Sequence, residues 1–278
     1  MKSTLLYIAA AMVAFAANSL LCRMALSETN IDPASFTFIR LLSGAITLSL
    51  LLLLNKTSSL RGGSWWGALA LFIYAAGFSF AYVNISTGTG ALLLFGAVQV
   101  SMIAWGFFKG EAFSWIQSCG FVLAVLGLVI LLSPGLTSPP FVASGLMVIA
   151  GVAWGVYSLM GRGASSALLM TGGNFVKATP LAAVLLFTMA PVMNVDTMGF
   201  LLAVLSGALA SGLGYALWYQ VLPQIKATNA ATIQLSVPVI ATLMGWIFLG
   251  EAINLRIILA SVAILGGIVL VIQSKKNT

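Results

Sequence analysis

Ten apolar stretches, at 4–26, 34–54, 66–86, 90–108, 114–132, 141–161, 170–190, 198–221, 228–248 and 254–273, occupy almost the whole 278-residue chain. A hydrocarbon core of about 30 Å needs ~20 apolar residues per spanning helix. Inside lipid each backbone N–H and C=O must be satisfied within the segment, so stretches of this length and spacing fold as helices. The chain is 61% hydrophobic and only 6% charged, with a mean hydropathy of +1.11, whereas soluble domains carry roughly 25% charge. The expected fold is therefore all-α and integral to the membrane, with ten transmembrane helices. No soluble domain of useful size remains, so any chemistry happens within the bilayer.

Lys2, an apolar run and Ala14-Phe15-Ala16 give the first span the outline of a signal peptide. A similar segment recurs at 141–164, mid-chain, where no signal peptide belongs, so the first span reads as a retained helix. Basic residues near short loops set the orientation. With the N-terminus inside, the inner side collects Lys2, Lys56, Arg61, Lys109, Arg162, Lys226, Lys275 and Lys276; the outer side keeps Arg23 and Arg256. Both termini are thus expected in the cytoplasm of a bacterial-type inner membrane crossed many times. The net charge of +7 reflects this bias, and no basic patch interleaves with loop aromatics as nucleic-acid binding would require. Trp65 and Trp66, close to Arg61, suit the interface at the start of span three. Cys22 and Cys119 stand singly in apolar helices without CxxC spacing and read as inert thiols.

The chain repeats itself. Phe107-Phe108-Lys109-Gly110-Glu111-Ala112 matches Ile247-Phe248-Leu249-Gly250-Glu251-Ala252 at an offset of 251 − 111 = 140. The segment from Phe15 to Ala25 aligns with Trp154 to Ala164, keeping Ser, Leu, Arg and Ala, at 162 − 23 = 139. Two matches at nearly one offset, with five spans in each half, divide the chain into 1–137 and 138–278. An odd number of crossings per half turns the second half upside down, the arrangement many secondary transporters use.

These features, together with Ile39-Arg40-Leu41-Leu42 in span two and Leu235-Ser236-Val237-Pro238-Val239 in span nine, resemble the drug/metabolite transporter superfamily, in particular its EamA-type ten-helix members. The resemblance covers 4–273 and implies a five-plus-five inverted topology and export of small organic solutes, amino acids among them. It leaves the substrate unnamed. Span four reads Gly96-Ala97-Val98-Gln99 where the family often has Pro, so symmetric bending of spans four and nine is not implied.

Candidate binding residues lie on helical faces. Tyr74, Phe78 and Tyr82 recur at i, i+4, i+8 on span three, and Tyr215, Trp218 and Tyr219 at i, i+3, i+4 on span eight. Phe15 with Asn18, and Trp154 with Tyr157, do the same on spans one and six. Close helix packing in lipid favours Gly and Ala instead, while buried Tyr and Trp bring polar tips that need partners. A central chamber lined by these faces, with Gln99 and Gln234 adding amides, explains them together. Pro238 cannot donate to the carbonyl of Gln234, which leaves that oxygen for solute or water. Packing alone remains the alternative use of the aromatic residues.

Arg40 lies about 9 Å into span two at 1.5 Å per residue, and Lys177 sits comparably in span seven. Each has two readings: an anion partner in the pathway, or pairing with loop groups such as Asp32 for Arg40. Basic groups at Arg23, Arg40, Arg162 and Lys177, without acids at similar positions, favour zwitterionic or anionic solutes. Proton-coupled drug export is the alternative the resemblance invites, but span one carries no acid and the chain no His. Glu111 and Glu251 sit at helix ends, where each is expected to cap the helix that follows. There is no Walker loop, zinc-ligand cluster, nucleophile elbow or carboxylate pair, so neither enzymatic activity nor a cofactor is expected. Gly120-x-x-x-Ala124 and Ala263-x-x-x-Gly267 are helix-packing faces on spans five and ten, serving contacts within a protomer or across a homodimer.

The reading is a transporter of small metabolites, amino acids or related zwitterions and anions, that exports them by alternating access. Its partners are a small-molecule solute and the lipid bilayer.

Overall fold

Residues 2–55, 62–110, 114–133, 138–161, 166–221, 224 and 233–274 are described by a computed structural model. Lys56, Arg61, Glu111, Arg162, Lys226, Lys275 and Lys276 lie outside the described residues, as do the side chains of Lys2 and Tyr219.

Seven long helices come first: α1 Lys2–Glu28, α2 Pro33–Leu54, α3 Trp65–Tyr82, α4 Thr87–Phe108, α5 Trp115–Leu132, α6 Phe141–Met160 and α7 Ala167–Thr188. The eighth span is composite: α8 (Thr197–Leu205), a π-helical segment (Ser206–Leu213) and α9 (Gly214–Val221). Then come α10, Ser236–Leu249, and α11, Leu255–Ser274. Nine spans among the described residues are long and apolar enough to cross a membrane, and α10 is a shorter apolar helix. The chain is a helical integral membrane protein.

Local chemistry explains most helix starts. Asp32 accepts from the N–H groups of Ala34 and Ser35, with Pro33 in the first turn of α2. Ser64 and Ser166 cap α3 and α7 in the same manner, and Ser114 with Gln117 forms a capping box on α5. Asp196 caps α8 through Gly199 and also accepts from the N–H of Asn30. Desolvation opposes its charge, but these donors and the Thr29 hydroxyl hold the Asp196 carboxyl below its ordinary value.

The most extensive packing joins an element before residue 138 to one after it: α5 to α11, α3 to α6, α2 to α7 and α4 to α6. These contacts keep their pattern when the halves are exchanged. The α3–α6 contact answers to the eighth span on α1, and α4–α6 to α10–α1. Gly120 and Gly267 face each other where α5 crosses α11, and a Cβ on either would run into the backbone of the other helix. The small-residue faces therefore meet within one protomer.

One sequence expectation changes. The start predicted for span nine lies outside the described residues, apart from Ile233 and Gln234. Ile233 and Gln234 are helical and Leu235 is a turn residue, so the span is interrupted there and Pro238 falls in the first turn of α10, where proline is tolerated. The π segment was not foreseen. It packs on α2, where Gly207 approaches the carbonyl of Arg40 so closely that a Cβ has no room.

Candidate functional site

Helices α1, α2, α3, α6, α7 and α9 converge on an aromatic and cationic cluster. Its backbone is a file of rings in contact. Tyr82 meets Phe78 at a centroid distance of 4.7 Å, Phe78 meets Tyr74 at 5.4 Å, and Tyr74 meets Trp154 at 4.7 Å. Trp154 stacks on Tyr157 at 5.1 Å and on Tyr215 at 5.4 Å. Tyr215 then touches Phe15 at 5.5 Å, and Phe15 reaches Trp218 at 6.2 Å. The i, i+4 stripe of α3 and the paired aromatic residues of α6 and α9 thus form one continuous, largely buried ring cluster drawn from both halves. Phe15 and Phe95 link the main core to the smaller apolar cluster that holds Trp218.

Arg40 is the charged centre of this cluster and is 1% exposed. Its Nη2 donates to the Tyr74 hydroxyl at 2.9 Å, and its guanidinium lies 4.8 Å from the Phe78 ring centroid and 5.2 Å from that of Tyr74. Asn18 Nδ2 also reaches the Tyr74 hydroxyl, at 3.4 Å, while Ser206 of the π segment donates to Asn18 Oδ1 at 2.7 Å. A cation deep in a membrane costs at least about 2.5–3.5 kcal/mol on insertion scales. One hydrogen bond to a charged donor returns about 1.5–3 kcal/mol, and ring faces add about 0.5–2 kcal/mol each. Those terms make Arg40 tolerable there without satisfying it: Nε and Nη1 are buried with no hydrogen-bond partner among the described residues.

The two readings of the basic residues separate here. Asp32 does not pair with Arg40; its carboxylate serves the start of α2 and the N–H of Asn194. Lys177 does bind loop groups, donating to the carbonyls of Gly62 at 2.6 Å and Gly63 at 3.1 Å. Arg23 likewise has an acid, with Nε 3.4 Å from Glu251 Oε1, so the expectation of cations without acids fails at that position. Glu251 corrects a second expectation. It accepts from the N–H of Thr87 at 2.8 and 3.0 Å, capping α4 of the opposite half, whereas Asn254 caps the helix that follows.

The remaining candidates are more dispersed. Tyr157 donates to Thr171 at 3.2 Å and receives Asn174 at 3.4 Å, so its tip is tied to α7. Tyr82 donates to the carbonyl of Thr87 at 3.2 Å. Gln99 is buried on α4, and Gln234 is half-buried just before α10. Ser206, Thr171, Asn174 and Phe175 join the cluster or its supports without having been singled out in the sequence. A lone Asn174 within an apolar stretch was a readable signal; Ser206 and Thr171, ordinary in membrane helices, were not.

Comparison with known proteins agrees with this architecture. The model of the EamA-like transporter family matches residues 2–133 and again 142–273. An uncharacterized protein of Pseudomonas aeruginosa is 50% identical over 276 residues, covering 99% of this chain and 96% of that protein. An uncharacterized transporter of Archaeoglobus fulgidus is 27% identical, covering 90% of each chain. A "Probable terminal-alkyne amino-acid exporter" of Streptantibioticus cattleyicolor is 24% identical over 66% of this chain and 64% of that one. A solved crystal structure with 18% identity superposes with a TM-score of 0.67 over 97% of this chain and 98% of its own, a likeness of fold. The chain belongs to the EamA-like transporter family, within the drug/metabolite transporter superfamily.

Proposed function

We propose that this protein exports small organic metabolites, amino acids or related zwitterions and anions, across a bacterial-type inner membrane, and that it does so without enzymatic chemistry. The observation that carries this reading is the central cluster, in which Asn18, Arg40 and Tyr74 from one half meet Trp154, Tyr157 and Tyr215 from the other. A site assembled at the seam of two halves changes its exposure when the halves rock, which is the requirement of alternating access. The division into 1–137 and 138–278, with the second half inverted, belongs to the same proposal.

Arg40 and the aromatic rings are the binding core in this reading. Rings cover the apolar part of a solute, and tips of Tyr and Asn bind its polar part. Two cross-half links support closure at the end that holds Asp32. Asp32 and Asn194 exchange backbone and side-chain hydrogen bonds, and Arg23 donates to the Tyr82 and Val83 carbonyls while pairing with Glu251. The amino-acid exporter among the relatives supports the solute class. Two measurements test the reading. Purified protein is screened with a solute panel for thermal stabilisation, and hits are then followed as flux in proteoliposomes. Saturable flux of a stabilising solute is expected; no flux for any solute refutes transport.

A further inference from the structure

The cluster around Arg40 offers donors and no charged acceptor. Nε and Nη1 of Arg40 are buried without a partner among the described residues. The Tyr74 oxygen accepts from both Arg40 and Asn18, which leaves its own proton free to donate. Every acid among the described residues is placed elsewhere. Asp32 and Asp196 cap helices at loops, Glu251 is engaged by Arg23 and Thr87, and Glu28 ends α1. Glu111 follows α4 and lies outside the described residues.

We propose that the ligand of this site is an organic monocarboxylate of net charge −1, whose carboxylate is the counter-ion Arg40 lacks. Planar guanidinium nitrogens suit the two oxygens of a carboxylate, and the Tyr74 hydroxyl adds a third donor. The rings of Phe78, Tyr74 and Trp154 surround an apolar or aromatic body. A zwitterion satisfies Arg40 but brings an ammonium for which the cluster holds no anion, and a cation meets repulsion from the guanidinium. The inference rests on the transport reading and narrows its solute class from zwitterions and anions to anions.

The test is a matched ligand series on the detergent-purified full-length protein, read by thermal stabilisation. The probes are 3-phenylpropanoate, its amide, L-phenylalanine and 2-phenylethylamine, with 4-methylpentanoate as an aliphatic acid. Half-maximal stabilisation by the two carboxylates is expected at concentrations about tenfold or more below that for phenylalanine. The amide and the amine are expected to give none. Arg40→Lys should weaken the carboxylates, and Arg40→Met should abolish their effect. The wild-type series decides the matter even if Arg40→Met does not fold. Equal stabilisation by the amide or amine overturns the proposal, as does undiminished carboxylate binding in folded Arg40→Met. Absence of stabilisation by both acids also overturns it. Flux of some other solute in proteoliposomes would then leave the broader transport reading standing.

Discussion

Tyr82 and Trp218 stand at opposite ends of the ring file, and their surroundings give them different work. Tyr82 is fully buried, its ring lies against Phe78 and crowds Gly90, and its hydroxyl donates to Thr87. Truncating a buried aromatic residue of this kind costs about 3–5 kcal/mol. Tyr82→Ala is therefore expected to lower the thermal midpoint strongly. Tyr82→Phe loses a single hydrogen bond, worth about 1 kcal/mol, and keeps the ring wall. Among the described residues Trp218 has one ring neighbour, Phe15, and it sits in the smaller apolar cluster. We predict that Trp218→Ala changes the ratio of initial transport rates between an aromatic and an aliphatic solute more than it changes protein abundance. An unchanged ratio removes Trp218 from the pathway. The stripes on α3, α6 and α9 were visible as sequence spacing because helical geometry alone places i and i+4 on one face. The fate of each polar tip was not visible: Tyr157 depends on Thr171 and Asn174, which only the packing of α6 against α7 brings near.

Among elements, the ends of α1, α3, α4 and α10 form one assembly across the halves. Arg23 holds the carbonyls at the end of α3, and Glu251 holds both Arg23 and the start of α4. An ion pair added to a helix cap in a partly buried setting stabilises by about 1–2 kcal/mol. Glu251→Ala should lose that amount, and Glu251→Gln less, since an amide oxygen still caps Thr87. If the assembly closes the pathway, its loss also opens it. Cys22 is fully buried and precedes Arg23 in α1, so it can report access. In a Cys119→Ser background we expect a membrane-impermeant maleimide to label Cys22 faster in Glu251→Ala than with Glu251 intact. Thermal midpoints of the same samples separate opening from unfolding, and an unchanged labelling rate argues against a gate. The caps at Asp32, Ser64 and Ser114 could be read locally, because each acts on its own helix. Glu251 acts on a helix 164 positions away in sequence, so spacing to the next helix gave the wrong partner. The π segment was hidden for a related reason: Gly207 matters through its approach to the Arg40 carbonyl, a contact between distant segments.

At the scale of the whole molecule, the halves interlock more than they stand apart, since the largest packing surfaces run between them. Isolated halves are therefore not expected to be stable units, whatever their sequence similarity. The same interlocking ties orientation to function. Asp32, Glu251, Arg23, Asn194 and Asp196 gather at one end, with the carboxylates engaged by caps or by Arg23. The ten-span scheme read from the sequence assigns eight of the ten basic positions weighed for orientation to the opposite side: Lys2, Lys56, Arg61, Lys109, Arg162, Lys226, Lys275 and Lys276. Lys and Arg in short loops are retained in the cytoplasm, so the engaged end should face outward and the protein should be closed to the outside. A reporter fused after Thr278 and a tag inserted near Ser58 are both expected to read as cytoplasmic in intact cells. The two sites are separated by eight crossings in the ten-span scheme, so agreement between them tests the count as well as the direction. An external signal from both reverses the orientation and makes the closed end cytoplasmic. A split result, one inside and one outside, breaks the even number of spans between Ser58 and Thr278 and removes the basis for a five-plus-five inverted repeat.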